Sequence, residues 1–360
     1  MSRPARVQLS AAALRHNLAR VRSYAPASRV MAVVKANGYG HGLEWAAQVL
    51  SGADAFGVTS LDEAIALRRA GVTGPVCLLE GAFRREELAE IAAHRLAAVV
   101  HHDRQVEQLE RLSGGTLVDV WLKIDTGMHR IGFDSGRAGE AFRRLRACRG
   151  VGSLGLLSHF ARADNPLDDA TVLQIRQFQA FAAAVGGERS IANSAGIVAW
   201  PESRMEWVRP GIMLYGASPV IGQPAGAYGL EPVMTLHSEV IAVNRWRRGD
   251  AIGYGGDWRC PEDMPVGVVA IGYGDGYPRH APSGTPVLVN GRRVPLIGRV
   301  SMDMITVDLR TQPDTRVGDP AVLWGQGLPV EEIAAHAGTI SYELLCHVAP
   351  RVMRVAPPEG

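Results

Sequence analysis

The first part of the chain alternates short apolar runs with longer amphipathic stretches. The runs, rich in β-branched residues, cover 29–34, 54–59, 75–80, 97–102, 117–124, 153–160, 189–194 and 206–212. Stretches between them, such as LDEAIALRRA and VLQIRQFQAFAAAV, have the spacing of amphipathic helices. Strands that alternate with helices of this length indicate parallel βαβ units, and eight such runs predict an α/β fold with a closed TIM-type (β/α)8 barrel.

The main alternative to a barrel is an open, doubly wound sheet. That fold normally carries a glycine-rich turn, G-x-G-x-x-G, directly after its first strand. The turn after the run 29–34 is KANGYGHG, which begins with a lysine and does not fit that pattern. The sequence therefore favours the barrel.

The pattern changes from about residue 230. Helical stretches give way to short strands separated by glycine and proline, with an Asn-Gly hairpin turn at 290–291. We predict a barrel domain over 1–225 and a mainly-β domain over 226–360, with the first strand of the chain as a candidate to pack in the second. The glycine- and alanine-rich stretch 216–229 is expected to link the two domains.

Composition and charge exclude several classes of protein. Hydrophobic residues make up 47% and charged residues 21%, as in globular chains. The formal charge of +2 gives no general attraction to nucleic acid or to an anionic membrane. The four cysteines lack metal-ligand spacing, and neither a signal peptide nor an apolar run of membrane-spanning length is evident. We expect a cytoplasmic protein with no metal site and no nucleic-acid or membrane partner.

Lys35 is the first candidate for chemistry. Active sites of (β/α)8 barrels lie at the carboxyl ends of the strands, and Lys35 directly follows the first predicted barrel strand. Apolar neighbours can desolvate its amine there, as a lysine that forms a Schiff base requires. The alternative is an ordinary surface lysine at the start of a loop.

Further candidates follow the last three runs of the predicted barrel. His159 suits proton transfer or ring stacking, although a structural histidine is an equal alternative. The loops after the seventh and eighth strands form the recurring phosphate site of barrels. There the Ser194 hydroxyl and the backbone N–H groups around Gly211 and Ile212 can cradle a phosphate.

A lysine opposite a phosphate cradle suggests pyridoxal phosphate (PLP). Arg209 adds a further hint. If Arg209 faces the pyridine nitrogen, its permanent charge leaves that nitrogen unprotonated and weakens the ring as an electron sink, which disfavours transamination. The residues alone indicate a PLP enzyme and do not name its reaction.

The motif AVVKANGYGHG resembles the alanine racemase family, and the likeness continues through both predicted domains. The further matching segments, in the same order, are LKIDTGMHRIGF, SHFARAD, ANSAG, VRPGIMLYG, AIGYGGDW, AIGYGDGYPR, GRVSMDMITVD and ISYELLC. The resemblance implies a PLP-dependent, fold-type III isomerase that interconverts L-alanine and D-alanine. It also implies a barrel followed by a β-domain, assembled as a head-to-tail homodimer with shared active sites.

The resemblance assigns the two catalytic bases. It implies that Lys35 holds the cofactor and acts on the D-alanine face, whereas Tyr254 of the other subunit acts on the L-alanine face. Two bases on opposite faces suit a reaction that removes a proton from one side of Cα and returns one to the other. A tyrosine hydroxyl is a weak base near neutral pH, so positive charge from His159 and Arg209 is expected to favour its ionised form.

The remaining contacts are also implied by resemblance. Arg209 matches the residue that faces the pyridine nitrogen, and His159 matches the residue that lies against the ring. The matched phosphate contacts are Tyr39, Ser194, Gly211, Ile212 and Tyr342. The matched groups for the substrate carboxylate are Arg130 and the backbone at Met302. Lys123 stands where several members carry a carbamylated lysine.

Two positions depart from the family pattern. His129 stands where a glycine is common in relatives, and Ser301 occupies a variable position beside the substrate entrance. Ser301 therefore leaves the fine specificity of the enzyme open.

Three different functions compete with alanine racemisation. A PLP-dependent decarboxylase would show a glycine-rich phosphate loop and a Cys–Asp pair, and the sequence shows neither. A broad-specificity amino-acid racemase and a non-catalytic PLP-binding protein also compete. The sequence does not distinguish D-alanine supply for peptidoglycan from alanine catabolism.

Overall fold

The computed structural model describes residues 3–112 and 117–356. These residues form two compact units. The barrel unit comprises Leu14–Leu214 and Ser218–Leu230, and the β unit comprises the described residues up to Ala13, then Tyr215–Ala217, then the described residues from Glu231 onward. Most of the stretch 216–229, expected as a linker, therefore groups with the barrel unit.

The chain begins with a strand of the β unit, β1 (Arg6–Leu9). The eight strands that follow form a closed parallel barrel, which confirms the predicted architecture. They are β2 (Arg29–Val33), β3 (Ala55–Val58), β4 (Val76–Leu78), β5 (Leu96–Val100), β6 (Val118–Lys123), β7 (Val151–Leu157), β8 (Arg189–Ser190) and β9 (Trp207–Val208). The barrel closes where β2 pairs with β9, with Arg29 opposite Trp207.

Helices connect the barrel strands, as the amphipathic stretches predict. A first helix, Ala11–Tyr24, leads into β2, and the connecting helices cover Leu43–Val49, Leu61–Arg69, Glu87–Ala93, Asp103–Glu110, Ser135–Ala147, Ala170–Val185 and Ser194–Ala199. A buried apolar cluster drawn from seven of the eight strands fills the barrel interior, as expected for this fold. Its members are Met31, Ala55, Cys77, Val99, Trp121, Leu157 and Trp207.

The later strands of the β unit are β10 (Met234–Trp246), β11 (Ala251–Ile252), β12 (Trp258–Arg259), β13 (Met264–Val269), β14 (Pro286–Val289), β15 (Arg292–Ile297), β16 (Ile305–Asp308), β17 (Pro320–Trp324) and β18 (Met353–Val355). The unit is built on an eight-stranded sheet in the order β13-β16-β15-β14-β17-β10-β1-β18. Two helices, Val330–His336 and Ser341–Cys346, complete it. Asn290 and Gly291 both have positive φ, 51° and 73°, as the predicted two-residue hairpin turn between β14 and β15 requires.

Three general features of the described residues bear on function. None of their helices is long and apolar enough to cross a membrane. They contain no group of three or more His, Cys, Asp or Glu side chains arranged to hold a metal ion. The four cysteines are free thiols.

Candidate active site

The carboxyl ends of the barrel strands bring five candidate residues to one rim. Lys35 follows β2, Lys123 ends β6, His159 follows β7, Ser194 follows β8 and Arg209 follows β9. Parallel strands of a closed barrel all end on the same side, which is where barrel enzymes place their active sites. The candidates drawn from separate motifs therefore share one site region.

A left-handed turn follows Lys35. The five residues from Ala36 onward have φ between 51° and 81°, and three of them are not glycine. Left-handed backbone costs roughly 1–2 kcal/mol for each non-glycine residue, so surrounding contacts have to hold the turn. The Glu63 carboxylate accepts the Ala36 N–H at 2.8 Å. The Asn37 side chain accepts a further backbone N–H at 2.9 Å.

The guanidinium of Arg209 is held in place by hydrogen-bond acceptors. Its side chain is 4% exposed. Nη1 donates to Ser190 Oγ at 2.6 Å, and Nη2 donates to the Ser158 carbonyl at 2.5 Å. Nη2 also lies 3.4 Å from His159 Nδ1. Burial lowers the pKa of Arg209 to about 10, so the guanidinium remains charged at neutral pH.

His159 is surrounded by positive charge. Burial lowers its pKa well below the ordinary value, and Lys123 and Arg209 lower it further. The imidazole is therefore neutral at neutral pH. The expectation that His159 supplies positive charge to favour an ionised tyrosine is wrong, because burial among cations removes its proton. Arg209 is the permanent charge of the pair.

Lys123 is a buried amine. Its side chain is 6% exposed, and burial lowers its pKa well below the ordinary value. Arg209 and Arg130 lower that pKa further, whereas Asp125 opposes them. The chain has only two lysines, Lys35 and Lys123, among its 38 lysine and arginine side chains. An amine can lose its proton and a guanidinium cannot. The rarity of lysine therefore marks both Lys35 and Lys123 as candidate functional residues, independently of any motif.

Ser194 joins the ends of β8 and β9. Its Oγ accepts the Gly211 N–H at 2.9 Å and the Met213 N–H at 3.3 Å. Both lone pairs are thereby used, so the serine O–H is the group that remains to donate. Gly211 fits tightly, because a Cβ there would lie 2.3 Å from Tyr39 Oη. Ile212 is fully buried beside it.

Asp125 shapes the loop that carries Arg130. Its Oδ1 accepts the N–H groups of Gly127, Met128 and His129 at 2.9, 3.0 and 3.1 Å. Burial raises the pKa of Asp125, but these backbone bonds outweigh burial and the pKa is lowered. His129, where relatives often have glycine, has φ +55° and places Nδ1 3.3 Å from Asp125 Oδ2. Arg130 is exposed.

Three further predicted residues belong to the β unit. Tyr254 opens a short 3-10 turn between β11 and β12 and is 67% exposed. It lies between Gly253 and Gly255, whose φ values of 71° and 78° suit glycine. Met302 is exposed in the loop before β16, and Tyr342 is exposed on the last helix.

A buried carboxylate network supports the loop that carries Met302. Asp275 is 1% exposed and pairs with Arg3 Nη2 at 2.8 Å and Arg351 Nε at 2.8 Å. Arg351 also pairs with Asp303 at 2.7 Å, directly after Met302. No sequence motif suggested these charges, since their partners are far apart along the chain.

Known proteins match this chain along nearly its whole length. The sequence model of the alanine racemase N-terminal domain matches residues 9–219, and that of the C-terminal domain matches 233–356. The curated alanine racemase of Nitrosococcus oceani is 57% identical over 347 residues, covering 96% of this chain and 97% of its own length. That of Shewanella loihica is 53% identical over 348 residues, with the same coverage.

Solved structures agree with these sequence matches. The biosynthetic alanine racemase from Pseudomonas aeruginosa superimposes with a TM-score of 0.96 at 43% identity, covering 99% of this chain and all of its own. The alanine racemase from Acinetobacter baumannii gives a TM-score of 0.93 at 38% identity, covering 98% and 99%.

The fold is that of an α/β-barrel enzyme with an additional β unit, and the residues at the barrel rim form a site rich in positive charge. With both family models matched in order over most of the chain, it belongs to the alanine racemase family. The family and the enzyme class expected from the sequence motifs are thereby confirmed.

Proposed function

We propose that this chain is an alanine racemase that uses PLP to interconvert L-alanine and D-alanine. The observation that carries the proposal is the cationic cluster at the barrel rim, where the buried Arg209 guanidinium lies 3.4 Å from His159 and where Lys35 and Arg130 also lower the pKa of that histidine. Such an excess of positive charge suits an anionic cofactor and a substrate carboxylate. The names of the family members give the substrate.

The residues present fit PLP. Its phosphate requires donors and a close backbone, which the remaining O–H of Ser194 and the tight packing of Gly211 against Tyr39 supply. We assign the phosphate contacts to Tyr39, Ser194, Gly211, Ile212 and Tyr342. The Gly211 N–H already donates to Ser194, so the serine hydroxyl is the principal donor. When bound, PLP supplies an aldehyde for a lysine amine and a ring that stabilises negative charge at Cα.

The protein's own groups then move one proton across Cα. The Lys35 amine takes or returns the proton on the D-alanine face, and Tyr254 of the partner subunit does so on the opposite face. Arg130 and the backbone N–H of Met302 hold the substrate carboxylate. Arg209 would hold the ring nitrogen of the cofactor and, because a guanidinium only donates, would not take up a proton from it.

The biological setting follows from the same proposal. Tyr254 is assigned to the partner subunit, so the functional species is a head-to-tail homodimer. We propose a cytoplasmic enzyme that supplies D-alanine for peptidoglycan, with alanine catabolism as the second role. The word "biosynthetic" in the name of the Pseudomonas aeruginosa relative supports the first role.

The direct test is optical. The PLP-loaded protein is expected to bring the optical rotation of L-alanine and of D-alanine to zero. Borohydride is expected to fix the cofactor on Lys35 and not on Lys123, the one other lysine. Lys35→Ala is expected to abolish both results. A bound cofactor with no effect on either enantiomer would support a PLP-binding protein, and equal rates with many amino acids would support a broad-specificity racemase.

A second test addresses the shared site. Tyr254→Phe is expected to impair proton exchange from L-alanine more than from D-alanine, because only one face loses its base. Mixing inactive Lys35→Ala and Tyr254→Phe chains is expected to restore part of the activity, because a mixed dimer contains one intact site. Equal losses in both directions, or no recovery after verified subunit exchange, would refute the assignment of Tyr254.

A further inference from the structure

Four side chains tie the loops of the barrel rim together in neighbouring pairs. Each forms hydrogen bonds that link the loops after two adjacent strands, and we call such a side chain a tie. Glu63 links the loops after β2 and β3, and Gln105 links those after β4 and β5. Gln174 links the loops after β6 and β7, and Ser194 links those after β8 and β9. The eight strand ends are thus joined as four pairs by side chains.

Glu63 holds the backbone next to Lys35. Its Oε1 accepts the Ala36 N–H at 2.8 Å, and its Oε2 accepts the N–H and the hydroxyl of Thr59, both at 2.9 Å. Ala36 is the first residue of the strained left-handed turn. The carboxylate therefore stabilises the backbone conformation from which Lys35 projects.

Gln174 does the same for His159. The glutamine is 2% exposed on the helix Ala170–Val185. Its Nε2 donates to the His159 carbonyl at 3.0 Å and to Thr126 Oγ1 at 3.3 Å, and its Oε1 accepts the Ala161 N–H at 3.0 Å. Both donors and the acceptor are used, so the amide fixes the stretch of loop from the His159 carbonyl to the Ala161 N–H.

Gln105 provides an internal comparison. It is 4% exposed, accepts the His101 N–H at 2.9 Å and donates to the Ala82 carbonyl at 3.2 Å. Its chemistry and burial match those of Gln174. The loops that it joins carry none of the residues assigned above to cofactor, substrate or proton transfer.

We propose that Glu63 and Gln174 are positioning residues of the active site, which hold Lys35 and His159 in their working orientations. The inference rests on the proposed function, since it assigns both residues a role through those two side chains. A displacement of about 1 Å in a reacting group can cost roughly 100-fold in rate. A tie at these two loops therefore affects catalysis, whereas the equivalent tie at Gln105 affects stability alone.

The test compares matched variants of the PLP-loaded protein. Gln174→Met and Gln105→Met each replace a buried amide with an apolar side chain of similar length. Gln174→Met is expected to lower kcat at least about tenfold and to change the visible circular dichroism of the bound cofactor. Gln105→Met is expected to lower Tm by a similar amount while kcat and the circular dichroism stay close to wild type.

Glu63 has its own matched control. Glu87, the first residue of the helix Glu87–Ala93, accepts the Phe83 N–H of the preceding loop at 2.8 Å, so Glu87→Gln removes a similar bond away from Lys35. Glu63→Gln is expected to lower kcat and slow borohydride fixation of the cofactor, and Glu87→Gln to do neither. If Gln174→Met does not fold, Gln174→Glu keeps the acceptor for the Ala161 N–H and repeats the comparison.

The possible outcomes distinguish the positioning roles from the proposed function. A wild-type chain that binds PLP and racemises alanine establishes the proposed function whatever the variants do. If kcat falls in proportion to Tm in every variant, the controls included, the positioning roles are overturned and the proposed function is left intact. A wild-type chain that neither binds PLP nor racemises alanine would remove the proposed function and the positioning roles with it.

Discussion

Arg209 Nη2 points at His159 Nδ1 across 3.4 Å. A guanidinium only donates, so Nδ1 is the acceptor and the imidazole proton resides on Nε2. The lowered pKa of His159 agrees with this neutral tautomer. The contact joins a permanent cation to a neutral ring, and the positive charge at this point of the rim stays on Arg209.

The neutral state of His159 predicts a loss of stability in acid. Its folded-state pKa lies well below the ordinary 6.5, so the unfolded chain binds this proton first as the pH falls. The contribution of His159 is complete above about pH 6.5 and is lost progressively below it. Between about pH 7.5 and pH 5.5, His159→Asn is expected to show a smaller fall in Tm than wild type. The other histidines with a lowered pKa, His101, His102 and His237, are present in both wild type and variant, so their effect cancels in the comparison. Equal falls in Tm would contradict the assignment to His159.

Lys123 is expected to carry a carbamate. Burial and the neighbouring cations lower its pKa and so favour the neutral amine, which can bond to the carbon of CO2 with loss of a proton. The resulting negative charge would be stabilised by Arg130 and Arg209, the cations that lower the lysine pKa. With 13C-labelled bicarbonate, a carbamate signal is expected from wild type and not from Lys123→Arg. A wild-type spectrum without that signal would show that the amine stays unmodified.

Ser194 is expected to combine a structural and a cofactor role. Ser194→Ala leaves the Gly211 and Met213 N–H groups without their acceptor, at a cost of about 1–3 kcal/mol in the free energy of unfolding. PLP affinity is expected to fall as well. Ser203 is the control: it is fully buried, and its single O–H lies 2.7 Å from the Trp200 carbonyl and 3.1 Å from the Gly196 carbonyl, which share it as acceptors. Ser203→Ala is expected to lower stability and keep PLP affinity, so equal losses of affinity would remove the phosphate role.

Gly211 and Tyr39 are expected to be energetically coupled. Gly211→Ala places a Cβ 2.3 Å from Tyr39 Oη, which forces the ring or the loop to move. Tyr39→Phe removes that oxygen and leaves Cζ as the nearest atom at 3.0 Å. In urea unfolding, the double variant is expected to be more stable than the sum of the single effects by about 0.5–3 kcal/mol. Gly139→Ala, where a Cβ would meet an arginine nitrogen at 3.9 Å, is the control, and additive effects of Gly211→Ala and Tyr39→Phe would count against the contact.

The barrel could be predicted because its strands are short apolar runs between polar turns. The run 29–34 corresponds to β2 (Arg29–Val33), for example. The last two runs overestimate their strands, which cover only Arg189–Ser190 and Trp207–Val208. After β8 the Asn193 side chain accepts the Gly196 N–H at 2.9 Å and begins a helix instead.

The ties at the rim could not be predicted in the same way. Glu63 lies in the first turn of an amphipathic helix, where an acidic side chain is ordinarily explained by the helix dipole. Its bond to the Ala36 N–H joins positions 27 residues apart. A local pattern contains no information about such a partner. The left-handed turn after Lys35 escaped prediction for a similar reason, because three of its residues are not glycine.

The scarcity of lysine has a practical consequence for labelling chemistry. Acylating reagents and free aldehydes attack amines, and guanidinium groups are far less reactive toward them. This chain offers such reagents two side-chain amines, and one of them, Lys123, is 6% exposed. Excess aldehyde cofactor in a preparation therefore finds almost no surface lysines with which to form non-specific imines. The ratio of covalently fixed cofactor to protein should accordingly report active-site occupancy directly, with little background from adventitious adducts.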